Sequence, residues 1–256
     1  MAFKKKQAIF WVKFIIIVLS VIFIAYLLNT HFFSSADEGF TPSNNNYIIY
    51  YINLDHRTDR NEQILSELSK IGIPSEKIVR IPAVYNKEHG DVGCSNSHIL
   101  TIETFMKSDY DRCIVFEDDF VFIDENPDLA KYFIQFQNAE KNQGLVWDVV
   151  LFSANEVDTL PTEYPFLMKI NNSQTASGYM VSKKYAPTLL SNFKEGVVKL
   201  DAGYKNNDSN PGGSYAIDQY WKLLQKTDNW YRFEPKLGKQ RESYSDIQKG
   251  VMDYGV

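Results

Sequence analysis

Three consecutive acids, Glu117, Asp118 and Asp119, follow the apolar run Cys113-Ile-Val-Phe116. Carboxylates this close repel one another, and a partly buried strand end strips them of water. A divalent cation removes that conflict by taking oxygen ligands from them. Strand side chains alternate between faces, which puts Glu117 and Asp119 on one side and Asp118 on the other. A Glu-x-Asp pair aimed at one point can hold Mn2+ or Mg2+ and leave positions open for a diphosphate. Such a cation acts as a Lewis acid on a departing phosphate. A solvated turn, or an N-cap for the next helix, is the plainer reading of the same residues.

Other chemistry-bearing residues are spread along the chain. Asn53 ends the β-rich run Tyr47–Asn53, with Arg57 and Arg60 just beyond. Guanidinium forks match phosphate oxygens, although pairing with Asp55 and Asp59 would occupy both arginines. Ser97 and His98 follow Gly93 at the expected start of a helix, where backbone N–H groups attract anions. His98 reads equally as a packed core histidine. Residues 203–213 form a polar, Gly/Pro-bearing stretch expected to be a binding loop or mobile lid. Trp221 and Trp230 could stack on a ligand ring or sit in the core. Cys94 and Cys113 could form a bridge or remain two buried thiols.

The elements that must position these groups alternate in type. Strands are expected at 47–53, 78–84, 113–116, 147–153 and 178–181, and helices at 59–71, 95–107, 126–141 and 183–193. A further helical run is expected at 214–226. This rhythm argues an α/β fold with a largely parallel sheet. Ligands of such sheets bind beyond the carboxyl ends of the strands, where the acidic triplet falls.

Composition narrows the classes further. The 256 residues are 44% hydrophobic and 14% aromatic, too apolar for a disordered chain. Two cysteines exclude a disulfide scaffold and a four-cysteine zinc site. Residues 37–256 hold 23 bases against all 32 acids, which argues against bulk nucleic-acid binding. A basic leader, 1–9, precedes the apolar run 10–28, which is long enough to span a bilayer as a signal-anchor. The positive-inside rule puts the leader in the cytosol and the remainder in a secretory-pathway lumen or periplasm, as a single-pass type II protein. A cleaved signal peptide is the rival reading. Residues 29–46 read as a stem and 47–256 as the main domain.

Several segments occur in a recognisable order: Tyr50-Tyr-Ile-Asn-Leu-Asp-His-Arg-Thr-Asp-Arg60, Gly93-Cys-Ser-Asn-Ser-His98, Ile114-Val-Phe-Glu-Asp-Asp119, Ala176-Ser-Gly-Tyr-Met-Val181, Ile217-Asp218 and Gln240-Arg-Glu-Ser-Tyr-Ser-Asp-Ile247. The series resembles glycosyltransferase family 25, which includes bacterial lipooligosaccharide galactosyltransferases and collagen hydroxylysine galactosyltransferases. The resemblance covers roughly 47–247. It implies a single GT-A-like nucleotide-sugar domain and a metal-dependent, inverting transfer of a hexose, galactose first, from a UDP-sugar to a glycan, glycoprotein or hydroxylysine-type hydroxyl. Mn2+ (or Mg2+) would sit on Glu117, Asp119 and Asp246. The donor would be met by Asn53, Arg57, Arg60, Ser97, His98 and Asp118. An inverting transfer needs a carboxylate to take the acceptor proton, and Asp218 is the candidate base. A first-turn acid complementing a helix dipole is its bland alternative. Two departures stand out: His56 where the family commonly has Arg, and Phe120 where a smaller β-branched residue is frequent. A non-catalytic carbohydrate-binding protein on a degenerate transferase fold and a metal-dependent phosphohydrolase are the competing classes.

Overall fold

Seven successive buried residues form β1 (Tyr47–Asn53). A strand apolar on both faces belongs in a sheet's interior, and β1 lies between two parallel neighbours. The computed structural model describes residues 46–124, 128–245 and 250–252, all within the unit Asn45–Val256. The predicted leader, anchor and stem, apart from Asn46, lie outside the described residues, as do Asp246 and Asn126-Pro127. Among the described residues no helix is long and apolar enough to cross a membrane.

After β1 come α1 (Thr58–Ser69), β2 (Ile78–Pro82), α2 (Gly90–Met106), β3 (Arg112–Glu117), β4 (Phe120–Phe122) and α3 (Leu129–Asn142). Then follow β5 (Val149–Leu151), β6 (Asn155–Pro161), β7 (Leu167–Gln174), β8 (Gly178–Ser182) and α4 (Ala186–Lys205). Three short helical segments, α5 (Pro211–Tyr215), α6 (Ile217–Tyr220) and α7 (Lys222–Gln225), lead to β9 (Trp230–Phe233), β10 (Gly238–Gln240), β11 (Ser243–Ser245) and β12 (Gly250–Met252).

Among the described residues, eight strands form the central sheet in the order β2-β1-β3-β8-β5-β9-β7-β6. The expected parallel character holds for most of it. Strands β2, β1, β3, β5, β9 and β6 share one direction, while β8 and β7 run against them. Insertion of β8 between β3 and β5 makes the centre antiparallel, because β6 and β7 form a hairpin that turns the chain before β8 enters. Helices α2 and α4 cover one face, where Ile102, Phe105, Leu189 and Phe193 meet Tyr50, Val115, Leu151 and Tyr179. On the opposite face α3 brings Phe133 and Phe136 against Tyr47, Phe152 and Phe233. Apolar helices on both faces are what an α/β sheet needs to leave water.

Three expectations change. Helix α2 begins at Gly90, so Ser97 and His98 lie in its interior rather than at its N-terminus. Gly93 does not break it. A Cβ there would lie 2.5 Å from the Val84 carbonyl oxygen, so glycine lets the helix pass close to the loop after β2. The expected lid at 203–213 is mostly helical, being shared between the ends of α4 and α5, and only 206–210 link them. The helical run predicted at 214–226 is broken into α5, α6 and α7. Trp221 and Trp230 are fully buried against each other and are core residues. Both cysteines are free thiols.

Candidate active site

Strand β3 ends at Glu117, and its side chain follows Cys113 and Val115 toward the α2 face. There Glu117 Oε1 lies 2.9 Å from His98 Nε2 and accepts from the Cys94 thiol at 3.5 Å. The other His98 nitrogen, Nδ1, is 3.0 Å from the Tyr179 hydroxyl. Cys94 and His98 are four residues apart on α2, which aligns them on one helix face. Burial pushes the Glu117 carboxyl up, but the contacts from His98 and Cys94 outweigh it and hold it below its ordinary value.

Asp118 and Asp119 form a turn rather than a continuation of the strand. Strand alternation stops there, and the turn rather than the strand brings Asp119 to the same cleft as Glu117. Arg60 of α1 reaches both acids, with Nη1 2.9 Å from Asp118 Oδ1 and 3.4 Å from Asp119 Oδ2. Asn53, at the end of β1, donates to Asp118 Oδ2 at 2.8 Å. Gln240 of β10 donates to Asp119 Oδ2 at 3.0 Å. Asp119 Oδ1 is buried with no hydrogen-bond partner among the described residues. Burial first, then the Glu117 charge, pushes Asp119 up to about 7. Burial likewise raises Asp118, despite Arg60 and Asn53.

The turn is clamped from behind. Glu67 of α1 is buried, accepts from the Phe122 backbone N–H at 3.1 Å and pairs with Arg241 at 3.2 Å. Arg241 in turn donates its backbone N–H to the Asp119 carbonyl at 2.7 Å. Phe120, the unusual residue after the acids, is fully buried against Phe116. It lies so close to Gly178 that a Cβ there would meet its ring at 2.7 Å.

The triplet floors a cleft between the ends of β1 and β2 and helix α2, with Asn53, Arg60, Tyr85, Asn86 and Ser97 in its wall. A larger hollow adjoins it and shares Gly90, Cys94, Glu117 and Gln240 with it. Asp218 lines this hollow from α6. Its Oδ2 accepts from the Thr175 N–H at 3.0 Å, and burial raises its pKa. No Lys or Arg is among the described residues lining the hollow.

The predicted residues therefore divide. Asn53, Arg60, Ser97, Glu117, Asp118 and Asp119 gather on one cleft, and Asp218 joins through the hollow that shares Glu117. His98 is fully buried behind Glu117. Ser97 Oγ accepts from the Val84 N–H and donates to the Gly93 carbonyl, both at 2.8 Å, tying α2 to the loop after β2. Arg57 forms a two-pronged pair with Asp59 at 3.0 and 2.9 Å. Cys94, Tyr179, Glu67 and Arg241 were not anticipated in these roles. Only the four-residue spacing of Cys94 and His98 offered a signal.

The donor set and its electrostatics suit a hard divalent cation. Asp119 offers a buried, unpartnered oxygen beside carboxylates that repel it, which is the condition a cation relieves.

Among protein-family models, that of glycosyltransferase family 25 (LPS biosynthesis protein) matches residues 83–203. Residues 83–203, a little under half of the chain, are similar to the family 25 glycosyltransferase module. The matched stretch runs from the loop after β2 into α4 and includes Cys94, Ser97, His98 and the acidic triplet. Asn53, Arg57, Arg60 and Asp218 lie outside it. Comparison with curated proteins gives no match to this chain. Solved structures similar to it include the glycosyltransferase GlyE of Streptococcus pneumoniae TIGR4, at 9% identity and TM-score 0.43, covering 75% of this chain and 46% of that one. A glycosyltransferase involved in glycosylation of the PBCV-1 major capsid aligns at 9% identity and TM-score 0.42, covering 79% and 96%. S. aureus TarS 1-349 aligns at 10% identity and TM-score 0.44, covering 77% and 60%.

Proposed function

We propose that this chain is a metal-dependent, inverting glycosyltransferase of GT-A type. It would move a hexose, galactose first, from a UDP-sugar to a hydroxyl of a glycan, glycoprotein or hydroxylysine-type acceptor. One observation carries this reading: a buried, unpartnered Asp119 oxygen floors a cleft that opens through Glu117 onto the hollow holding Asp218. That juxtaposition supplies a diphosphate end and a proton-accepting end on one path.

Glu117 and Asp119, with Asp246 outside the described residues, would hold Mn2+ or Mg2+. When bound, the ion supplies Lewis-acid charge at the departing diphosphate. The protein's own residues do the rest. Arg60 and Asn53 fix Asp118 and hold the turn in one geometry, as preorganised electrostatic stabilisation requires. Ser97 and His98 keep α2 and Glu117 in register with it. Asp218 takes the acceptor hydroxyl proton. The Thr175 N–H fixes its carboxylate, and its raised pKa makes it a stronger base than a solvated aspartate. Arg57 would reach a donor phosphate by releasing Asp59. Residues 10–28 would anchor the enzyme, with its catalytic domain in a secretory lumen or periplasm.

Thermal denaturation of the full chain with a panel of UDP-sugars tests this. A ligand at about one hundred times its Kd stabilises by about 2.7 kcal/mol. For a domain of this size that is a rise in Tm of roughly 5–10 °C. UDP-galactose with Mn2+ should give such a rise, and far less without the metal. No rise with any UDP-sugar overturns the reading.

A further inference from the structure

Cys94, His98 and Glu117 place a thiol sulfur, an imidazole nitrogen and a carboxylate oxygen within 4.8 Å of one another. The sulfur is 3.5 Å and the nitrogen 2.9 Å from Glu117 Oε1. Zinc bonds of about 2.0–2.3 Å in a tetrahedron give ligand-to-ligand edges of roughly 3.3–3.6 Å. The two edges to Glu117 are thus close to those of a zinc tetrahedron before any ion is added, and the His98–Glu117 hydrogen bond has to open slightly to admit one. We propose that Cys94, His98 and Glu117 form a zinc-class cation site that meets the hard-cation site at Asp119 only through Glu117, with its fourth position open to the cleft.

Two further features fit a metal rather than a packed thiol. A metal-bound histidine carries its other ring N–H on a second polar group that fixes the ring, and Tyr179 Oη stands 3.0 Å from His98 Nδ1. Structural zinc sites are closed by four protein ligands, whereas sites that meet water or substrate keep one position free. Here Cys94 and Glu117 line both the cleft and the hollow, while His98 is wholly buried behind them. A thiolate with an imidazole selects Zn2+ or Co2+, whereas carboxylate and water suit Mn2+ and Mg2+. The two sites share Glu117, so zinc here withdraws that carboxylate from a cation at Asp119. The site stands on these ligands whether or not the chain transfers a sugar.

Cobalt reports on it directly, because a cobalt–thiolate bond absorbs in the near ultraviolet. The chain has two cysteines, and Cys113 is buried within β3, away from both cavities. Co2+ added to the reduced full chain should produce the thiolate band, and one equivalent of Zn2+ should bleach it while Mn2+ leaves it. Cys94→Ser should abolish the band and Cys113→Ala should retain it. Glu117→Gln should lower zinc affinity at least about tenfold, and Tyr179→Phe by about ten- to a hundredfold. No band in the wild-type chain, a band that survives Cys94→Ser, or unchanged zinc affinity in Glu117→Gln overturns the site.

Discussion

Mn2+ binding to this protein should be tied to a proton at Asp119. Its carboxyl is pushed up to about 7 by burial and by the charge of Glu117, whereas an ordinary aspartate titrates near about 3.9. A cation must displace that proton to bind. Above about pH 7 there is no proton to displace and affinity is flat. Below it, affinity should fall by about tenfold per pH unit, so roughly a hundredfold by about pH 5. A site built from ordinary carboxylates would scarcely change over the same span. Isothermal calorimetry of the full chain in buffers of different ionisation heat counts the protons directly. About one proton should leave per Mn2+ at about pH 6 and close to none at about pH 8. Asp119→Asn should lose both the proton release and most of the affinity. Manganese binding that is independent of pH down to about 5, with no proton released, would refute the claim that Asp119 holds the ion from a desolvated position.

The same group sets a stability slope. The unfolded chain ionises Asp119 near about pH 4 while the folded chain keeps it protonated to about 7. The metal-free protein should therefore lose stability as pH rises through that window, measured by chemical denaturation. Asp218→Asn should cut turnover by about 10^2–10^4-fold while leaving UDP binding within about twofold, read by kinetics and calorimetry; equal losses in both would remove it as the base. Arg60→Ala leaves Asp118 and Asp119 buried without their shared cation and should cost about 3–5 kcal/mol in a denaturation curve. Gly178→Ala drives a methyl into the Phe120 ring and should cost about 1–3 kcal/mol, with Phe120→Leu in the same chain restoring part of it.

Much of the fold was legible because its signals are local. The run Tyr47–Asn53 is apolar throughout and became the doubly covered strand β1 with the predicted ends. The direction of β8 was not legible, because it depends on the β6–β7 hairpin rather than on Gly178–Ser182 itself. The start of α2 was misplaced because Gly93 looks like a breaker in sequence and serves as a close contact in space. In the site, the triplet could be picked out from residue type and position, whereas Asp218 comes forward through the family resemblance. Strand alternation does not carry as far as Asp119, because β3 ends at Glu117 and a turn, not a strand, brings Asp119 to the same cleft. Glu67 and Arg241 are 174 residues apart, and no short-range pattern announces that they meet behind Asp119.

UDP release from UDP-galactose by the full chain with Mn2+ and an acceptor mixture tests the central claim most directly. Transfer makes UDP at a rate that needs both carboxylate ends of the cleft. The wild-type chain should turn over steadily, and Asp119→Asn should be slower by about 10^2–10^3-fold, the scale of losing one preorganised electrostatic group. Equal rates in the two proteins, or no UDP from any sugar nucleotide in the wild type, would contradict the account.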